Sequence, residues 1–142
     1  MVWDMKRLLL LSAVVLLLAV PLWEAAAQNI MNASFQTVAR INADGTLRDA
    51  AFRTIGYIKG NGVVQDASFR TVSYLKDDGT VQDKGFRTLG YIRKDGTVQD
   101  AAFRTLGYVK EDGTVQDRSF RTIGYAKGIP RNWAAFYFFF RK

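Results

Sequence analysis

The sequence VQDAAFRTLGY at residues 98–108 decides how this chain folds, because it recurs with small changes five times at a spacing of 17 residues. A fixed period makes the repeat the structural unit of a fold. We place the repeats at about residues 44–60, 61–77, 78–94, 95–111 and 112–128. A degenerate first copy precedes them, in which Phe35 keeps the frame but the following Arg and Tyr are missing.

Each repeat contains an Asn-Gly or Asp-Gly pair, such as Asp78-Gly79, between runs of β-branched and aromatic residues. Such a pair predicts a β-hairpin, because glycine tolerates a positive φ. A three-residue loop with a bulged glycine sets Leu75 opposite Val81, whereas a two-residue loop sets Lys76 there. The three-residue loop gives an aliphatic pair in every repeat, so we predict it. Its other pairs are Ile41 with Leu47, Ile58 with Val64, Ile92 with Val98, and Val109 with Val115.

A second turn in each repeat has the pattern Asp-x-x-Phe-Arg. An aspartate at the first turn position accepts hydrogen bonds from backbone N–H groups further along the turn. We expect the arginine to pair with the aspartate of its own or the next repeat. The five couples are Asp49/Arg53, Asp66/Arg70, Asp83/Arg87, Asp100/Arg104 and Asp117/Arg121.

One strand position holds only small residues. It is glycine in four copies and serine or alanine in two, at Ala39, Gly56, Ser73, Gly90, Gly107 and Gly124. Small residues within a strand mark the close approach of another backbone. We expect that backbone to belong to the neighbouring repeat.

The chain after the repeats is an apolar run, WAAFYFFF at residues 133–140, that does not alternate with polar residues. Such a run is typical of a strand covered on both faces. We therefore predict an aromatic closing strand over about residues 133–141. It would fill the middle of the repeats or seal the seam with the first copy. Eight residues are too few to span a bilayer as a helix.

The first 27 residues have the pattern of a secretory signal peptide. Lys6 and Arg7 precede an apolar stretch at residues 8–20, and three alanines end at Ala27. We predict cleavage after Ala27, a single domain over residues 28–142, and a secreted or periplasmic location. After cleavage the protein would not be an integral membrane protein.

Composition argues against catalysis. The chain has no histidine and no cysteine, which removes the usual general base, the usual thiol nucleophile and most transition-metal ligands. Its aspartates are near-identical copies, whereas an acid–base pair needs two different environments. We predict that the protein is not an enzyme and binds no metal or cofactor.

With five copies of VQDxxFRTxGY, Asp-Gly turns, a signal sequence and an aromatic ending, the chain resembles the five-fold β-flower family. The resemblance implies an all-β fold of five 17-residue β-hairpins in a closed, propeller-like ring with pseudo-five-fold symmetry. It supplies no functional residues. An open β-solenoid is the competing architecture, and the petal could be either the Asp-Gly hairpin or the Asp-x-x-Phe-Arg hairpin.

Two repeated side chains are the candidate ligand contacts of a non-catalytic binding or structural module. They are the tyrosines Tyr57, Tyr74, Tyr91, Tyr108 and Tyr125, and the arginines Arg53, Arg70, Arg87, Arg104 and Arg121. A net charge of +7 and export favour a glycan or another anionic polymer, or a second exported protein, over nucleic acid. The alternative is that each tyrosine packs between repeats, in which case it would be buried.

Overall fold

The computed structural model describes residues 28–142, so the predicted signal peptide lies outside the described residues. These residues form twelve short antiparallel strands and a C-terminal helix. The strands are β1 (Gln28–Asn32), β2 (Thr37–Ile41), β3 (Thr46–Asp49), β4 (Thr54–Ile58), β5 (Val63–Asp66), β6 (Thr71–Leu75), β7 (Thr80–Asp83), β8 (Thr88–Ile92), β9 (Thr97–Asp100), β10 (Thr105–Val109), β11 (Thr114–Asp117) and β12 (Thr122–Tyr125).

Every strand pairs with its neighbours in sequence, and β1 also pairs with β12, so the sheet closes into a barrel that we call the ring. Met31 lies opposite Tyr125 at this seam. Closure leaves no unpaired edge among the twelve strands. The fold is therefore all-β and closed, as predicted, and it is not an open solenoid.

The predicted strand register is confirmed. Leu75 lies opposite Val81, and the four other predicted aliphatic pairs also form. The loop glycines have φ of 87° to 93°, the left-handed conformation of a bulged glycine. We call these loops, at residues 42–45, 59–62, 76–79, 93–96 and 110–113, the Gly turns.

The Asp-x-x-Phe segments form a second set of hairpins that alternates with the first. We call them the Phe turns; they lie at residues 32–35, 49–52, 66–69, 83–86, 100–103 and 117–120. Because consecutive strands are antiparallel, all Phe turns lie at one end of the ring and all Gly turns at the other. Both candidates for the petal are therefore hairpins.

The five-fold count is not confirmed, because the ring has twelve strands and six Phe turns. The sixth comes from the degenerate first copy, where Asn32 replaces aspartate. Its Oδ1 accepts hydrogen bonds from the N–H groups of Ser34 and Gln36 at 2.9 and 3.0 Å. Its Nδ2 donates to Gln36 Oε1 at 2.9 Å, where the other turns have an ion pair.

The prediction of an aromatic closing strand at residues 133–141 is wrong. Helix α1 (Arg131–Ala135) continues as a π-helical turn over Phe136–Phe140, and we call residues 131–140 the C-terminal helix. A non-alternating apolar run does not distinguish a buried strand from a buried helix. In a closed ring no strand edge is left to pair with another strand, so a buried segment has to satisfy its backbone internally, as a helix does.

The C-terminal helix packs on the inner face of the ring. Ala134 and Ala135 are fully buried and Phe136 is 5% exposed. Three consecutive phenylalanines each lie against the glycine of a different strand, in the pairs Phe138 with Gly124, Phe139 with Gly107, and Phe140 with Gly90. A Cβ on any of these glycines would come within 2.5–2.7 Å of a ring atom.

The small-residue position also has the close backbone neighbour that we predicted. A Cβ on Gly56 would lie 2.7 Å from the Gln65 carbonyl oxygen, in the next repeat. Ser73 donates its hydroxyl hydrogen to the corresponding carbonyl, that of Gln82, at 2.6 Å. The sequence did not predict that aromatic rings would lie over the same position.

Candidate functional site

The Phe turns are held by their first side chain. In the turn at residues 66–69, Asp66 Oδ1 accepts hydrogen bonds from the N–H groups of Ser68 and Arg70 at 2.9 and 3.0 Å. The Arg70 Nε–H donates to Asp66 Oδ2 at 2.9 Å. The same bonds recur in the other four aspartate turns, so each arginine pairs within its own repeat.

The paired arginines remain open to solvent. Their side chains are 79–86% exposed, and the ion pair uses only Nε. The two terminal amino groups of each guanidinium therefore face outward and can donate two parallel hydrogen bonds to a carboxylate or sulfate. The predicted arginine contacts thus lie at one end of the ring and are accessible there.

The last residue of each Phe turn is a phenylalanine in the left-handed region. The six residues, Phe35, Phe52, Phe69, Phe86, Phe103 and Phe120, have φ of 61° to 66°. This conformation costs roughly 1–2 kcal/mol for an L-residue with a Cβ. These residues are 62–68% exposed. Each of the six Phe turns thus has a strained backbone and an exposed aromatic ring at the same residue.

The candidate tyrosines lie beneath these phenylalanines. Each tyrosine is half-buried and stacks on the phenylalanine of the following Phe turn. The stacked pairs, with ring centroids 4.6–4.9 Å apart, are Tyr57/Phe69, Tyr74/Phe86, Tyr91/Phe103, Tyr108/Phe120 and Tyr125/Phe35. In the sixth place Arg40 replaces tyrosine and lies 4.1 Å from the centroid of Phe52.

The exposed aromatic face at the Phe-turn end is therefore the phenylalanine, which was not among the predicted contact residues. A signal for it was present. Both turns of the repeat are three-residue loops with a left-handed last position, and phenylalanine stands in one turn where glycine stands in the other. Comparison of the two turns would have shown phenylalanine at a position that normally favours glycine.

The carboxylates of the site are held in the ionised form. The hydrogen bond from the Arg70 backbone N–H, helped by the Arg70 side chain, lowers the pKa of Asp66 below its usual value of 3.8, although desolvation acts in the opposite direction. The pKa of Asp83 is lowered for the same reason. Within residues 28–142, no group of three or more acidic side chains is positioned to hold a metal ion.

The architecture defines a class of protein: a closed ring of repeated antiparallel hairpins whose inner face is occupied by a C-terminal helix. A family model described as "5-fold beta-flower protein" matches residues 27–142. The chain belongs to this family. No curated protein and no solved structure gives a significant match. In the part of the chain that the structure describes, no helix has the length and apolar character needed to cross a membrane.

Proposed function

We propose that this protein is an exported, non-catalytic binding module that holds an anionic glycan against the Phe-turn end of the ring. One observation carries the proposal: six phenylalanines adopt a strained conformation and remain exposed. The Gly turns accomplish the same chain reversal with glycine and without that strain. A bulky residue kept at such a position indicates a role for its ring.

The chemistry of the Phe-turn end suits a charged sugar polymer. An aromatic ring offers a flat apolar face to the C–H groups of a sugar. The neighbouring arginine presents two outward-facing amino groups to a carboxylate or sulfate. Because the unit is repeated around the ring, one polymer chain can contact several units at once, which strengthens weak individual contacts. The tyrosines support the phenylalanines from below in this proposal.

The non-catalytic part of the proposal rests on the titratable groups. The chain has neither histidine nor cysteine. A general acid at neutral pH needs a raised pKa, whereas the pKa values of Asp66, Asp83 and their equivalents are lowered. Export rests on the predicted signal peptide, and it places the protein where glycans occur and nucleic acids are scarce.

A second exported protein is the alternative partner. Exposed apolar side chains grouped at one end of a domain are typical of protein interfaces. A partner of this kind would depend on the phenylalanines more than on the arginines, whereas an anionic glycan needs both.

The test is affinity electrophoresis through gels containing polygalacturonate, with neutral amylose as the comparison polymer. We expect polygalacturonate to retard the protein, and the replacement of Arg53, Arg104 and Arg121 by alanine to weaken binding about tenfold or more. The matched control replaces Lys59, Lys76 and Lys110 by alanine, which removes the same charge from the Gly-turn end.

Three outcomes contradict the proposal. Equal losses in the arginine and lysine variants would mean that net charge alone attracts the polymer. Absence of retardation by polygalacturonate would exclude an anionic glycan as the ligand. Replacement of Phe69, Phe103 and Phe120 by glycine tests the aromatic contribution without adding backbone strain, and unchanged retardation in that variant would also contradict it.

A further inference from the structure

The inner face of the ring is only partly filled by the C-terminal helix. Six small residues occupy equivalent inner positions around the ring, and phenylalanines lie against three of them, Gly90, Gly107 and Gly124. A cavity of about 450 Å³ remains next to two of the others, Gly56 and Ser73. The C-terminal helix therefore fills one side of the ring and leaves space on the other. We call the space next to Gly56 and Ser73 the inner cavity.

The walls of the inner cavity are mostly apolar, with Gln65 as a polar exception whose buried Oε1 has no hydrogen-bond partner among the described residues. They are formed by Leu47, Ile55, Val72, Leu89, Phe136 and Phe140. The buried hydroxyl of Ser73 already donates its hydrogen to the Gln82 carbonyl oxygen, so it has no hydrogen left for a ligand. The volume lies within the range of roughly 300–1,000 Å³ that is usual for small-molecule sites. The cavity thus favours the apolar part of a small ligand.

The mouth of the inner cavity is basic. It is lined by the cations Lys84, Arg87, Arg141 and Lys142 and by the carboxylates of Asp66 and Asp83. Both carboxylates already form an ion pair with the arginine of their own turn. Lys84, Arg141 and Lys142 form no ion pair with any carboxylate of residues 28–142, so they are the cations available to a ligand. The guanidinium of Arg141 lies 5.2 Å from the centroid of the Tyr137 ring, which positions it.

Lys84 departs from the repeat at the place where the mouth lies. The equivalent residues of the other aspartate Phe turns are alanine in three cases and arginine in one, at Ala50, Ala67, Ala101 and Arg118. None of these four lines the inner cavity. The sequence thus tolerates alanine at this turn position, which makes Lys84→Ala a mild substitution.

We propose that the inner cavity binds a medium-chain fatty acid, with its alkyl chain between Val72, Leu89 and Phe140 and its carboxylate at Lys84 and Arg141. An apolar cavity with unpaired cations at its opening matches an amphiphile with a single anionic head. A neutral alcohol of the same length lacks the charge, and a short carboxylate lacks the chain. The mouth borders the glycan surface, because Asp66, Asp83 and Arg87 belong to both. The two proposals rest on different groups, since the fatty acid needs the apolar walls, Lys84 and Arg141 and the glycan needs the exposed phenylalanines and the turn arginines.

The test is isothermal titration calorimetry of the protein with decanoate, decanol and acetate. We expect one decanoate to bind per chain, decanol to bind several times more weakly, and acetate not to bind. Binding of about six decanoates per chain would indicate adsorption to the six exposed phenylalanines and would overturn the proposal. Equal affinity for decanol and decanoate, or no heat with decanoate, would also overturn it.

Two pairs of variants locate the site. Lys84→Ala should weaken decanoate binding about threefold to fivefold, and its combination with Arg141→Ala about tenfold. Arg118→Ala also replaces a cation by alanine, at the equivalent position of a turn that does not line the cavity, and it should leave binding unchanged. Val72→Phe should abolish binding by filling the cavity, with thermal unfolding used to verify that it folds. If it does not fold, the Lys84 and Arg118 comparison decides: equal effects of the two substitutions would overturn the proposal.

Discussion

At the scale of single residues, the phenylalanine at the end of each Phe turn combines two opposing effects. Its left-handed backbone is unfavourable by roughly 1–2 kcal/mol. Its ring stacks on a tyrosine, which contributes roughly 0.5–1.5 kcal/mol beyond the area buried. Phe103, with φ of 63° and a ring 4.7 Å from that of Tyr91, is a representative case. The two effects are similar in size, so stability alone does not require phenylalanine.

Replacement of Phe103 separates these effects. We expect Phe103→Gly to change the free energy of unfolding by less than about 0.5 kcal/mol, because the lost stacking is offset by relief of the backbone strain. Phe103→Ala loses the stacking and keeps the strain, so it should be less stable than the glycine variant by about 1 kcal/mol. Urea unfolding followed by circular dichroism measures both values. Equal stabilities would show that the backbone at residue 103 is not strained.

Residue-level inference from the sequence succeeded where the chemistry is local. The Asp-Gly pair and the aliphatic side chains around it were sufficient to predict Leu75 opposite Val81. The left-handed conformation of Phe103 was missed, because it is visible in the sequence only when the Phe turn is aligned with the Gly turn. The tyrosines were predicted as candidate contacts and lie half-buried under phenylalanine rings, an arrangement that depends on two different repeats.

At the scale of elements, the C-terminal helix packs closely against the ring because the ring has glycine at the contact positions. Phe139 lies so close to Gly107 that a Cβ there would be 2.5 Å from its ring and would also meet the Gln116 carbonyl oxygen. Arg131, at the start of the helix, donates to the Lys94 carbonyl oxygen in a Gly turn at 2.5 Å. The helix is therefore fixed to the ring at the Gly-turn end and along its aromatic face.

Substitution of Gly107 tests this fit. We expect Gly107→Ala to reduce the free energy of unfolding by about 2 kcal/mol or more, because the added methyl group overlaps both a backbone oxygen and an aromatic ring. The control is Gly60→Ala, where no atom lies within 4 Å of the added Cβ. That variant should stay within about 0.5 kcal/mol of the parent protein. An unchanged free energy of unfolding in Gly107→Ala would mean that the helix does not pack against this strand.

The helix itself was mispredicted for a physical reason. The run at residues 133–140 has no periodicity that distinguishes the two kinds of buried element. The choice of a helix depends on the whole sheet, because β1 pairs with β12 and the closed ring leaves no edge for another strand. That pairing joins Met31 and Asn32 to β12. Asn32 also begins a turn whose sequence departs from the repeat, which is why the sixth hairpin was counted only as a degenerate copy.

At the scale of the whole molecule, the dependence of stability on pH follows from the turn aspartates. Backbone N–H bonds lower the pKa of the Phe-turn aspartates, as in Asp66, and of the Gly-turn aspartates, as in Asp78. A lowered folded-state pKa contributes stability that is complete above the unfolded value near 3.8 and is lost as the pH falls through the folded value. Since the chain has no histidine, no such loss is expected between about pH 5 and 8.

We therefore expect the urea midpoint to be nearly constant from about pH 8 to pH 5 and to fall steeply below about pH 4. Asp66→Asn isolates one contribution, because Asn32 shows that the turn accepts an amide oxygen. This variant should be slightly less stable than the parent at neutral pH, and the difference should vanish in acid. A difference that is independent of pH would contradict the assignment.

The pairing of Phe138, Phe139 and Phe140 with Gly124, Gly107 and Gly90 has a consequence for uniqueness. A ring of near-identical repeats offers a guest helix several orientations that are almost equivalent by rotation. Only one run of three successive repeats has glycine at this inner position, on β8, β10 and β12, since Ser73 and Ala39 interrupt the remainder. Identical repeats alone would let the C-terminal helix pack in several rotated orientations. The departures at Ser73 and Ala39 leave only one of them, so a repetitive sequence specifies a single arrangement of the interior.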